Sequence, residues 1–180
     1  TIAPNLKNIA QNSPRIFYDE KSGDLSRMDT YIAEANVADF VLNTVKNSIK
    51  LDIDWSKYIH NEDGFDMTEQ QSKALENFCN SNISLLTGYA GCGKTTSIQG
   101  LIQLMEDNDM SYTLLTPTGK ASKVLSEATH RSAQTIHRAC FNGNIDTDVV
   151  IVDDASMINL EVMNMLINSI TNPMLELYFL

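Results

Sequence analysis

Four short apolar runs stand out along the second half of the chain: "ISLLT" at 83–87, "YTLLT" at 112–116, "DVVIV" at 148–152 and "LELYFL" at 175–180. Each is too short for a helix and rich in leucine or β-branched residues, so each predicts a strand. Between them, 94–107, 119–140 and 159–170 carry apolar residues at helical spacing. Strands alternating with helices predict an α/β fold with a parallel sheet covered on both faces. Upstream, Ile32, Ala35, Val37, Phe40, Val41, Val45 and Ile49 predict a helix over about 28–49, with Asp29 or Thr30 as its cap. "MTEQQSKALENFCN" predicts a second helix, capped by Thr68. Residues 1–27 read as irregular or short strand. The polar stretch "DIDWSKYIHNEDGFD" reads as a linker in which Trp55 is a packing residue. The expected division is a small, mainly helical N-terminal segment over 1–64 and an α/β lobe over 65–180.

Length and composition narrow this picture only a little. A chain of 180 residues with 43% hydrophobic and 20% charged residues buries a core without staples. Cys79, Cys92 and Cys140 are odd in number and widely spaced, which argues against a disulfide framework or a zinc site. No apolar run approaches the ~18 residues that span a bilayer, so the expectation is a cytoplasmic protein with no membrane partner. Thr1 at one end and a strand-like run at the other read as the ends of a piece of a larger protein.

Candidate chemistry begins at Gly88-Tyr89-Ala90-Gly91-Cys92-Gly93-Lys94-Thr95, followed by Thr96, which fits G-x-x-x-x-G-K-[ST] between a predicted strand and a predicted helix. Glycines let backbone N–H groups close around phosphate, and the helix start adds a positive field. Lys94 is expected on the β- and γ-phosphates of a nucleoside triphosphate, with the Thr95 hydroxyl on Mg²⁺. The run "VVIVDDAS" delivers Asp153 at the carboxyl end of a strand as a direct or second-sphere holder of Mg²⁺, with Asp154 beside it to orient the attacking water. Together these define a P-loop NTPase.

The net charge of −10 hides a local reversal. From Thr116 to Phe141 the chain carries Lys120, Lys123, Arg131 and Arg138 against Glu127 alone, a balance of +3. A basic stretch with hydroxyls and two histidines suits a nucleic-acid backbone, although such a run without context is more often a solvated helix face.

In order, Gln71, the phosphate loop, "TPTGKAS", "TIHR" and "VDDASM" resemble the first RecA-like motor lobe of superfamily 1 DNA helicases of the RecD-like group, which includes the RecD/TraA and Dda types. The resemblance covers about 66–180 and implies roles residue by residue. Gln71, within "MTEQQ" after Met67 and Thr68, would read the adenine. Pro117, Thr118, Gly119, Lys120 and Ala121, with Thr135, Ile136, His137 and Arg138, would lie along single-stranded DNA. It further implies 5′-to-3′ translocation and a second motor lobe of the same parent chain, whose arginines complete the ATP site.

One departure weakens that expectation. The family carries Asp-Glu where this chain has Asp153-Asp154, and aspartate is one methylene shorter. A positioning error of that order costs about 10²-fold in rate. Two rival readings therefore stay open: a weakly hydrolysing ATP-binding switch module, and a viral-type RNA helicase.

Overall fold

The computed structural model describes residues 8–10, 12–60, 66–88, 93–172 and 175–180. Near the amino end, β1 (Ile16–Tyr18) and β2 (Leu25–Arg27) form a two-stranded antiparallel ribbon. The chain then enters α1 (Met28–Lys46). Phe17 stacks on Tyr31, ring centroids 3.6 Å apart, tying ribbon to helix. The cap differs from expectation. Arg27 holds the N-cap position without a side-chain capping bond, and Asp29 sits in the first turn, paired with Arg27. A carboxylate there complements the positive helix end without taking the cap itself.

The main sheet has five parallel strands in the order β3-β7-β6-β4-β5. These are β3 (Ile83–Leu85), β4 (Tyr112–Thr116), β5 (Ala133–Thr135), β6 (Val149–Val152) and β7 (Glu176–Phe179). The helices are α2 (Glu69–Asn80), α3 (Lys94–Asp107), α4 (Gly119–Thr129), α5 (Ile136–Phe141) and α6 (Leu160–Ser169). β6 shows why the sheet is two-faced: successive side chains on a strand point to opposite sides. Val149 and Ile151 join one core with Leu75 and Phe78 of α2 and Ile98 and Leu101 of α3. Val150 and Val152 join the other with Ile136 of α5 and Leu166 of α6. All four residues of β6 are buried, as a central strand covered on both faces requires. This is the RecA-like α/β lobe expected.

Two segments depart from the sequence pattern. The run 119–140, expected as one helix, contains β5 between α4 and α5. His130 ends α4 in the left-handed conformation (φ 55°), and Ala133 N–H donates to Ser126 Oγ as the chain turns back. β5 is short, half-buried and at the sheet edge, so it produces no apolar run. The stretch read as a linker is packed in its described part. Ile53, Trp55 and Tyr58 lie against the first core, the last two in a 3₁₀ turn.

The N-terminal helix is docked as well. Asn36 Nδ2 donates to Asn164 Oδ1 at 3.2 Å, Phe40 lies on the second core, and buried Asn82 accepts from Ser48 Oγ and Ile49 N–H. Among the described residues no helix is long and apolar enough to cross a membrane.

Candidate nucleotide and nucleic-acid site

Parallel pairing brings every strand out at one edge. Leu85 pairs with Phe179, Val152 with Phe179, Leu115 with Val152, and Thr116 with Thr135. The phosphate-loop segment therefore leaves β3 at one side of this carboxyl edge, Asp153 leaves β6 in the middle, and "TPTGK" and "IHR" leave β4 and β5 at the far side. At about 4.8 Å per strand, β3 and β4 are separated by roughly 14 Å. Ligands in open α/β sheets bind along this edge.

Gly93 holds the N-cap of α3 with φ 81°, a conformation that favours glycine. A Cβ there would fall 2.1 Å from Gln71 Nε2. The Gly93 carbonyl accepts from Thr96 N–H at 3.0 Å, Ser97 N–H at 3.3 Å and Gln71 Nε2 at 3.1 Å. Lys94 Nζ donates to the Gly88 carbonyl at 3.3 Å. Tyr89, Ala90, Gly91 and Cys92, also expected on phosphate, lie outside the described residues. Thr95 is exposed on the first turn and Thr96 half-buried.

Beside this loop is a cavity of about 530 Å³ lined by Thr68, Gln71, Leu86, Gly88, Lys94 and Ser97 among others, within the range of small-ligand sites. Gln71 is only 7% exposed. Its Oε1 accepts from Thr68 N–H at 2.9 Å, and its own N–H donates to Thr68 Oγ1, a capping box that starts α2. Both ends of the amide are thus engaged: one on the helix start, the other on Gly93. Met67, by contrast, packs: its methyl occupies the space that a Cβ on Gly100 would need.

Ser97 was not singled out in the sequence. It is fully buried, lines the cavity, and its hydroxyl has no hydrogen-bond partner among the described residues. The only sequence signal is its place one turn into the helix after Lys94.

Asp153 is half-buried where β6 ends, its N–H donating to Leu115 O and its Oδ1 accepting from Asp154 N–H at 3.0 Å. Burial and then the neighbouring Asp154 charge push its carboxyl above the usual aspartate range. The Asp154 N–H and nearby Lys94 pull the other way. A carboxylate held under such strain is relieved by a cation. Mg²⁺ binds through one or two carboxylates, water and substrate phosphate rather than an all-protein cage. The half-buried Asp153 carboxylate and the exposed Thr95 hydroxyl are oxygen donors of the kind such an ion takes. Asp154 is exposed and left-handed (φ 56°), a conformation aspartate tolerates better than most residues.

At the far side of the edge, Thr118 caps α4 by accepting from Ala121 N–H at 3.2 Å, and Thr135 caps α5 by accepting from Arg138 N–H at 3.2 Å. Each cap uses an oxygen lone pair and leaves the hydroxyl proton available to an acceptor. Pro117 is half-buried. Thr118, Gly119, Lys120, His137 and Arg138 are exposed, and Lys120 and Arg138 have no ion pair among the described residues. Arg131 is different. Its Nε and Nη2 donate to the two Glu106 oxygens at 2.6 and 2.8 Å. The basic stretch is thus smaller in space than in sequence.

A family model described as an AAA domain matches residues 71–180. The ATP-dependent RecD2 DNA helicase of Deinococcus radiodurans is 34% identical over 101 residues, 51% of this chain and 14% of that protein. The RecBCD enzyme subunit RecD of Haemophilus influenzae is 26% identical over 179 residues, 76% of this chain and 28% of that protein. An uncharacterized protein of Methanocaldococcus jannaschii is 29% identical over 138 residues, 62% of this chain and 12% of that protein. The chain spans less than a third of the length of each of these relatives.

Proposed function

This chain belongs to the AAA domain family, with the motor region of a RecD-like superfamily 1 helicase, and from that membership we propose that it is the ATP-binding lobe of a translocase on single-stranded DNA. We further propose 5′-to-3′ movement, a second motor lobe closing the ATP site, and a division into an N-terminal segment (1–64) and this lobe (65–180). What supports the reading is a single arrangement: Lys94 and Asp153 share the carboxyl edge of one sheet with the paired starts of the "PTGK" and "IHR" segments.

In this reading Gly93 and the start of α3 receive the phosphates, Lys94 turns from Gly88 O to the β- and γ-phosphates, and Thr95 and Asp153 hold Mg²⁺. The ion, when bound, neutralises charge developing on the phosphate oxygens. Asp154 orients the attacking water from a left-handed backbone. Gln71 exchanges its bond to Gly93 for the adenine edge, which links base recognition to the phosphate loop. Thr118, Lys120, Thr135, His137 and Arg138 hold the DNA backbone. Closure on ATP and opening after hydrolysis shift that grip along the strand.

The test is ATP hydrolysis by the protein together with its second lobe, with and without single-stranded DNA, and with an RNA strand in competition. Stimulation by DNA beyond RNA is expected. Tight ATP binding with slow turnover that no strand accelerates would instead support the switch-module reading, for which the short Asp154 side chain is the one specific argument.

A further inference from the structure

Phe141 is 90% exposed, the most solvent-accessible of the large exposed apolar side chains among the described residues. Leaving a phenylalanine in water forgoes the stabilisation that burying it would give, and neither core includes it. Its surroundings are specific. On α5, Ile136 and Ala139 point into the second core, and Cys140 Sγ donates to Met165 O at 3.8 Å. The outward positions are His137, Arg138 and Phe141. His137 and Phe141 are four residues apart and Arg138 and Phe141 three, so the three side chains share one helix face. That face is held firmly: Thr135 caps the helix and pairs with Thr116, and α5 rests on α6 and β4.

We propose that Phe141 is a stacking platform for one base of a single-stranded DNA whose backbone is held by Lys120, Arg138 and the threonine caps. This rests on the DNA-binding reading above and adds to it a contact with a base rather than with phosphate. Charge complementarity selects the occupant. The face offers an imidazole and an arginine with no carboxylate paired to it among the described residues, on a chain of net charge −10. A polyanion with flat apolar faces matches this combination, because cations take the backbone while an aromatic ring stacks on a base of any sequence. Phe141 lies about 9 Å along the helix axis from Thr135, so it meets the strand beyond the point where the two caps approach the backbone.

The experiment measures binding of a short oligothymidylate and an abasic strand of equal length to wild type, Phe141→Ala, Phe141→Trp and Lys120→Ala/Arg138→Ala across a salt series. Phe141→Ala is expected to lose about five- to a hundredfold in affinity for oligothymidylate with an unchanged salt slope, since stacking releases no counterions. It should bind the abasic strand as wild type does, and Phe141→Trp should restore affinity. An oligothymidylate affinity that survives Phe141→Ala would overturn the stacking role while leaving the DNA-binding reading intact. A flatter salt slope or equal loss on both strands would also overturn it, because Phe141 would then act by shaping the backbone contacts. Self-association of wild type that Phe141→Ala abolishes, with DNA affinity unchanged, would assign the face to a second copy. Failure of wild type to bind either strand would defeat the underlying DNA-binding reading itself.

Discussion

Gln71 Nε2 donates to the Gly93 carbonyl at 3.1 Å, joining the first turn of α2 to the last residue of the phosphate loop across 22 positions of sequence. The same amide accepts from Thr68 N–H, so helix start and loop share one side chain. Removing it has two consequences that measurements separate.

Gln71→Ala is expected to lower stability by about 1 kcal/mol, the usual net worth of an intramolecular hydrogen bond. It should also weaken ATP binding more than binding of inorganic triphosphate. Differential scanning calorimetry reads the first effect and competition titration the second. Equal losses for both ligands would remove the adenine role and leave only the latch. Gly93→Ala should be worse, because the new Cβ meets the amide and the backbone is left-handed. Lys94→Ala should abolish binding of both ligands while leaving the fold intact.

Glu176 opens β7 at the amino end of the sheet, opposite the phosphate edge, and is 5% exposed. Its Oε2 has no hydrogen-bond partner among the described residues. Burial and then the Asp148 charge push its carboxyl up to about 8 from an ordinary 4.5. Below 4.5 folded and unfolded chains both carry the proton. Between 4.5 and about 8 only the folded chain keeps it, so stability falls as pH rises through this window, by up to about 1.4 kcal/mol per pH unit. Above 8 the loss is complete. Glu176→Gln should therefore flatten the pH dependence and stabilise the protein at pH 8 by about 1–3 kcal/mol. Urea titrations at a series of pH values decide it; parallel curves for mutant and wild type would show that Glu176 is not the titrating group.

Arg131 and Arg138 look alike in sequence and should behave differently. Lys120→Ala with Arg138→Ala should flatten the salt dependence of single-strand binding by about 1.4 in slope, two phosphate contacts at ~0.7 each. Arg131→Ala should leave that slope alone, since Glu106 already holds the guanidinium. Arg131 and then the Tyr112 hydroxyl hold the Glu106 carboxyl at about 2. That contribution to stability is present above 4.5 and disappears as pH falls toward 2. The pair is partly exposed and screened by water, so its loss should change stability little.

Asp154 occupies a left-handed position. Asp154→Gly should leave stability within about 1 kcal/mol of wild type, because relief of backbone strain offsets the freedom gained by the unfolded chain. Hydrolysis should fall with it by about 10²-fold if the carboxylate orients water. Asp154→Glu should raise DNA-stimulated turnover in the presence of the second lobe, where side-chain reach becomes limiting. Without that lobe the chain should bind ATP and turn it over slowly, whichever residue stands at 154. Rapid hydrolysis by the lobe alone would contradict the need for a partner.

What this sequence determined by itself is what short-range patterns encode. Central strands such as β6 were legible because a strand buried on both faces must be a continuous apolar run. The glycine-lysine spacing and Asp153 at a strand end were legible because phosphate and Mg²⁺ chemistry demand particular residues at particular offsets. The Thr68 cap was legible because its partner lies three residues away. The tertiary structure decided whatever depends on residues distant in sequence. β5 is a strand because β4 offers it an edge, not because its own residues favour one. Gln71 is engaged at both ends because the Gly93 carbonyl arrives beside it. Arg131 is withdrawn from the basic stretch because Glu106, 25 residues earlier, faces it. Phe141 stands in water because the inward positions of α5 are already taken by Ile136, Ala139 and Cys140. Spacing along a chain fixes which groups are offered, and packing decides which of them remain free.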